Sequence, residues 1–220
     1  MKIKVFIIQC IFLILLTGCG TNLSEPSDST SKIENTTSNN EKSELVRAIG
    51  RLTQGTILII PAGKEEINQL GAPSSLGSET DYSFKGDYNI IFKDKEGKET
   101  DISKFSGEII AHDKNPIQLE KLAFEGFEAV YFKPIPNVSR PESCYFYAVD
   151  KNSNAFQFSF LNENGFKGNT TPLSPNIKPT IDNNQLIVPT WNPEEDSYSL
   201  VFTPDLNKKI MKFHRKISHK

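Results

Sequence analysis

Hydrophobic and polar positions divide this chain into three regimes. Residues 5–16 are apolar apart from Gln9 and Cys10. Residues 20–44 are the reverse: Ser, Thr, Asn and Glu dominate, and Leu23 and Ile33 are the only aliphatic side chains. From residue 45 onward, short apolar runs recur between clusters of Gly, Pro, Asn and Asp. These runs are rich in β-branched and aromatic residues, which predicts strands. They cover residues 56–60, 88–92, 108–111, 128–132, 144–149, 155–161, 185–188, 198–202 and 209–213. A short helix is expected at the entry to this region. Ser38 and Glu41 have capping-box spacing, and Leu45, Ile49 and Leu52 share one helical face, although Gly50 weakens it. Residues 64–70 allow a second short helix, and residues 116–124 fit either state.

No stretch alternates strand and helix as a parallel-sheet enzyme does. The pattern therefore predicts an all-β fold: antiparallel hairpins in an open or sandwich-like stack, with one short N-terminal helix. The expected organisation is a leader over 1–18, a tether over 19–44 and a β-rich domain over 45–220. The tether has too little apolar surface to offset its ordering entropy and is expected to be disordered.

Three strand–turn–strand stretches look alike. Aligning Asp94, Asp150 and Asp205 places Ile102, Phe158 and Phe213 at the same offset, eight residues on. The spacing between copies, about 55 residues, is close to that of a four-stranded propeller blade, ~40–50 residues. The pattern resembles degenerate blade-type repeats. Three unrelated hairpins, each opened by a good turn residue, would look similar. A closed propeller needs at least four blades, so three modules predict an open stack.

The leader carries the most specific signal. Lys2 and Lys4 precede the apolar run, which is too short for the ~20 residues of a spanning helix. It ends in Leu16-Thr17-Gly18-Cys19. This resembles the lipobox of bacterial lipoproteins, over residues 1–19 only. The resemblance implies that the Cys19 thiol receives a diacylglyceryl group, that cleavage precedes Cys19, and that the lipid holds the domain on the extracytoplasmic face of the cell membrane. Two acyl chains matter, because each buried CH₂ contributes ~0.8 kcal/mol and one chain anchors only marginally. Gly20 follows the cysteine, where an aspartate would have suggested inner-membrane retention in a two-membrane host.

Charge and chemistry narrow the domain's role. The net charge of −2 argues against a nucleic-acid partner. Cys144 is the only cysteine in the domain, so no internal disulfide is possible. It is expected to be a buried thiol, since His112, His214 and His219 fall in no catalytic context. Asp150, Asn152 and Asn154 begin like a calcium loop, but Ala155 and Leu161 stand where glycine and the bidentate carboxylate belong. A polar hairpin tip is expected instead, with neither metal nor cofactor. Phe156, Phe158 and Phe160 alternate and are expected in the core. Tyr145 and Tyr147, on the face opposite Cys144 and Phe146, are the candidates for a wet ligand surface, and Tyr147→Ala should therefore cost less than Phe158→Ala. Trp191, in an expected loop, is the third candidate.

The leading functional expectation is a non-catalytic binding module, with an unknown envelope protein or polymer as partner. An envelope hydrolase and a transporter's solute-binding lipoprotein are the alternatives. Replacing the thiol removes the lipid acceptor. Cys19→Ser should leave the protein as an uncleaved precursor or release it from membranes, read by fractionation and mass. Normal processing and retention would overturn the lipobox reading.

Overall fold

The computed structural model describes residues 45–136, 141–192 and 195–219. The residues that resemble a lipobox, the expected tether and the expected cap residues Ser38 and Glu41 lie outside them. Every regular element among the described residues is a strand.

The first sheet contains β1 (Ala48–Leu52), β2 (Gly55–Pro61), β3 (Glu66–Gln69), β4 (Tyr82–Asp94), β5 (Glu99–Ala111) and β6 (Ile117–Gln118). β1, β2, β4 and β5 form an antiparallel meander, β3 pairs with the first residues of β4, and β6 pairs parallel to β1. The expected entry helix is thus corrected in its described part, where Ile49 and Leu52 belong to β1. The reason is packing. Ala48, Gly50 and Leu52 alternate inward, and a Cβ on Gly50 would come within 2.8 Å of Val130 Cγ1 in the next sheet. Glycine permits that approach, and an extended chain satisfies β2 and β6 on both edges. The optional helix over 64–70 is likewise an exposed strand, β3. Before β1, Arg47 forms a buried ion pair with Glu65, Nη2 to Oε2 2.7 Å, and lies 4.3 Å from the Phe84 ring centroid.

The second sheet is the meander β7 (Glu120–Phe124), β8 (Phe127–Phe132), β9 (Glu142–Asp150) and β10 (Ala155–Gln157). Then come β11 (Ser159–Leu161), β12 (Lys167–Gly168), and β13 (Thr171–Leu173), which pairs with the start of β9. The third sheet is the meander β14 (Thr180–Asp182), β15 (Gln185–Asn192), β16 (Glu195–Asp205) and β17 (Ile210–Ser218), with β11 parallel to β17 and β12 beyond it. The sheets are open, antiparallel and mixed.

They stack in three layers. One core joins the first sheet to Val130, Phe132, Tyr147 and Val149 of the second. The other joins Ala129, Cys144, Phe146 and Ala148 of the second sheet to Leu186, Val188, Phe202 and Met211 of the third. Successive residues of β8 and β9 thus enter opposite cores, as the pleat requires, and the middle sheet is buried on both faces.

The aspartate alignment has a structural counterpart. Asp94, Asp150 and Asp205 each end the third long strand of a meander and open the turn to the fourth. They pair across the turn with Lys98, Asn154 and Ile210. In each fourth strand the ladder then runs for three residues and is interrupted at the next one: Ile102, Phe158 and His214. The third turn is one residue longer, so the residue matching Ile102 and Phe158 is His214 rather than Phe213. At Phe158 the interruption changes sheets. Phe158 N–H donates to Phe146 O at 2.9 Å, while Ser159 N–H donates to Lys209 O at 3.1 Å. The phenylalanine stripe is therefore split between two ladders, yet all three rings pack in the second core with Phe146.

Phe158 is fully buried, so Phe158→Ala should cost about 3–5 kcal/mol. Tyr147 is 1% exposed, and the smaller cost expected for Tyr147→Ala is revised to a comparable one. Phe166→Ala, at a side chain 73% exposed, should stay within about 0.5 kcal/mol. Urea melts of the three variants test the order.

Candidate functional site

The three equivalent tips are built alike. Asp94 Oδ1 accepts from Lys98 N–H at 2.8 Å, and Asp150 Oδ1 accepts from Asn154 N–H at 2.9 Å. In the longer third tip, Asp205 Oδ1 accepts from Lys208 N–H at 3.1 Å. Each tip then needs one residue with left-handed backbone to rejoin its strand. These are Gly97 (φ 87°), Ser153 (φ 62°) and Lys209 (φ 54°). Only Gly97 is a residue that takes this conformation freely.

The tips converge on one cleft of about 620 Å³. The first layer lends it Asp94, Lys98 and Thr100, the second Asn152, Ser153 and Asn154, and the third Leu206, Asn207 and Lys209. Stacked sheets lie ~10 Å apart, so three tips in a row span roughly 20 Å. Phe92 and Phe156 form the floor but are buried, 2% and 6% exposed. Lys209 Nζ lies 5.5 Å from the Phe156 ring centroid. Burial opposes ionisation of Asp150, but bonds from Asn154 and Asn152 and the charge of Lys209 outweigh it and hold its carboxyl below the usual range. That carboxylate is committed to its own turn: Asn152 N–H and Asn154 N–H donate to Oδ1, and Asn154 Nδ2 to Oδ2. The calcium-like stretch is therefore a self-satisfied hairpin tip.

What remains for a ligand is a mixed set of amides, a hydroxyl, ammonium groups and the Asp94 carboxylate. Among the described residues, neither histidine nor cysteine lines the cleft. Such a lining suits multiple hydrogen bonds to a polar molecule and provides no nucleophile–base pair of the usual kind. Strain points to the same place. Five described non-glycine residues have positive φ, and three are asparagine. The other two, Ser153 and Lys209, both line this cleft. A side chain in the left-handed region costs about 1–2 kcal/mol, and such strain gathers at functional sites.

No known family model matches this chain, and no curated protein sequence does.

The aromatic candidates fall elsewhere. Tyr147 is buried in the first core, so it is corrected from surface to interior. Tyr145 is half-buried, with its ring 5.5 Å from Phe105 and 6.3 Å from Phe132. It borders a shallow cleft of about 190 Å³ beside Gly107 and Pro134. Trp191 is not in a loop. It is half-buried near the end of β15, where the ladder to β16 is irregular, and it shares no ring contact with either tyrosine. The three do not form one surface. Cys144 is fully buried, and burial pushes its thiol up. The aspartate alignment located the tips, but not that they meet. A signal for Lys209 was present: the Asp205 turn offers neither glycine nor asparagine at the position that must be left-handed.

His112 and Asp113, neighbours in sequence, take separate partners. Asp113 caps its own turn through Asn115. His112 Nδ1 lies 3.0 Å from Oδ1 of Asp81, whose side chain is 3% exposed. Burial raises the Asp81 pKa, but Ser78 N–H, His112 and the Ser78 hydroxyl outweigh it, leaving the net shift below the ordinary 3.8. A depressed carboxylate contributes stability above its unfolded pKa and loses it as pH falls through the folded one. Asp81→Asn should therefore lower stability by about 1–3 kcal/mol at pH 7, with the difference from wild type shrinking as pH drops below 3.8. Urea melts across pH 2–7 test this; a difference that grows with acidification would overturn it.

Proposed function

We propose that this chain is a membrane-anchored bacterial lipoprotein whose β-domain is a non-catalytic binding module at the cell envelope. Lipid on Cys19 holds it to the membrane, and its partner is a polar envelope polymer laid across the three tips. The anchor rests on Leu16-Thr17-Gly18-Cys19 and the apolar run before it. The observation that carries the binding role is the cleft itself, where three equivalent turns from three layers meet and where Ser153 and Lys209 hold strained backbones. A row of tips suits an extended chain better than a compact solute. The exposed lining is polar and of both signs, which favours many weak hydrogen bonds over one strong charge pair.

Cosedimentation of the full-length protein in detergent micelles with isolated cell-wall material tests this. The variant Ser153→Gly/Asn207→Ala/Lys209→Gly removes three polar side chains of the cleft, from two of its layers, while giving glycine to the left-handed positions. It should bind at least tenfold more weakly, about 1.4 kcal/mol, with stability raised or changed by no more than about 0.5 kcal/mol. Equal binding by variant and wild type, or no binding of wall material by wild type, would overturn the proposal.

A further inference from the structure

A second cavity, of about 260 Å³, is bordered by the chain from Ile117 to Glu120, by Tyr131 and Lys133 at the end of β8, and by Leu173 and the segment after it. Ile117, Leu119, Leu173 and Ile177 make its walls largely aliphatic. Its rim charges are already matched, since Lys178 Nζ pairs with Glu120 Oε1 at 2.7 Å. Burial pushes the Tyr131 phenol up, and the Glu120 charge beside it pushes further, so it stays a neutral donor or acceptor. Lys133 differs from these groups. It is half-buried against this cavity, yet makes no hydrogen bond or ion pair with any described residue. Burial lowers its pKa, and the Glu142 carboxylate, too far away for an ion pair, only partly opposes this. An ammonium taken partly out of water without a partner is costly, and an anion brought to it recovers much of that cost.

We propose that this cavity binds a small organic carboxylate with an apolar body, the carboxylate on the Lys133 ammonium and the body against Ile117, Leu119, Leu173 and Ile177. Among the described residues, Lys133 is the one cation lining the cavity without a hydrogen bond or ion pair, and it asks for one negative charge. The aliphatic walls ask for a hydrocarbon rather than a sugar or an inorganic anion. A dry cavity of ~150 Å³ already holds a benzene ring, so this volume suits a somewhat larger body. The site is independent of the cleft at the three tips.

Octanoate is the probe, titrated calorimetrically into the full-length protein at a detergent concentration held constant. Octanoate should bind at least tenfold more tightly than octanol, which has the same tail and no charge. Lys133→Met, which keeps the length and apolar stem, should bind octanoate at least tenfold more weakly. So should Ile177→Glu, at a wall residue 52% exposed that tolerates a charge. In parallel, reductive methylation near pH 8 followed by peptide mass analysis should label Lys133 faster than the exposed Lys95, and octanoate should slow that labelling selectively. Equal affinity for octanol and octanoate, or undiminished binding by Lys133→Met, would overturn the charge pairing. Absence of both heat and protection would overturn the site.

Discussion

Burial of the middle sheet on both faces is the constraint on which the rest depends. β8 and β9 send alternate residues into two cores, so neither outer sheet has a hydrophobic partner except through them. The side chains at this centre have little freedom of size. Ala129 and Ala148 are small where Phe127, Phe146 and Phe158 are large, and Gly50 lets β1 approach Val130. A sheet covered on one side tolerates polar residues on the other. This one cannot, and near-continuous apolar strands result.

The interruption in each fourth strand gives the stack its connectivity. In the outer sheets the ladder resumes after Ile102 and after His214. In the middle sheet the same irregularity releases the chain at Phe158, and β11 pairs with β17 instead. One local device therefore serves as a simple bulge twice and as a crossover once. The buried Phe158 ring sits where the two ladders part, with neighbouring rings of Phe127 and Phe156 at 5.5 and 5.0 Å. The cleft follows from this arrangement, because layers joined in the same strand order present their equivalent turns at the same end.

The hairpins were legible because each joins two apolar runs through a polar turn, and because Phe156, Phe158 and Phe160 alternate. The aspartate spacing located the three tips, though the longer third turn shifts its register by one residue. A phenol suggests a wet face, yet Tyr147 lies in the first core. The better signal was the unbroken apolar run from Cys144 to Val149, which marks a strand buried on both sides. Leu45, Ile49 and Leu52 fit a helical period, and only Gly50 signals the close sheet packing that makes β1 a strand. Strands such as β6, β12 and β14 have almost no pattern of their own and exist because a neighbour offers a ladder. The buried Arg47–Glu65 pair and the unmatched Lys133 are equally tertiary, since nothing local in the chain distinguishes them from surface charges.

The position of β1 has a mechanical consequence. It is the first strand of the domain, yet it is clasped between β2 on one edge and β6 on the other. A pull on the chain ahead of residue 45 acts along β1, roughly perpendicular to the hydrogen bonds on both edges. Those bonds are loaded together, in shear, instead of opening one after another like a zipper. The buried Arg47–Glu65 clamp meets the load first. A domain held by its N-terminus while gripping something fixed would therefore resist extraction at the end where the force enters.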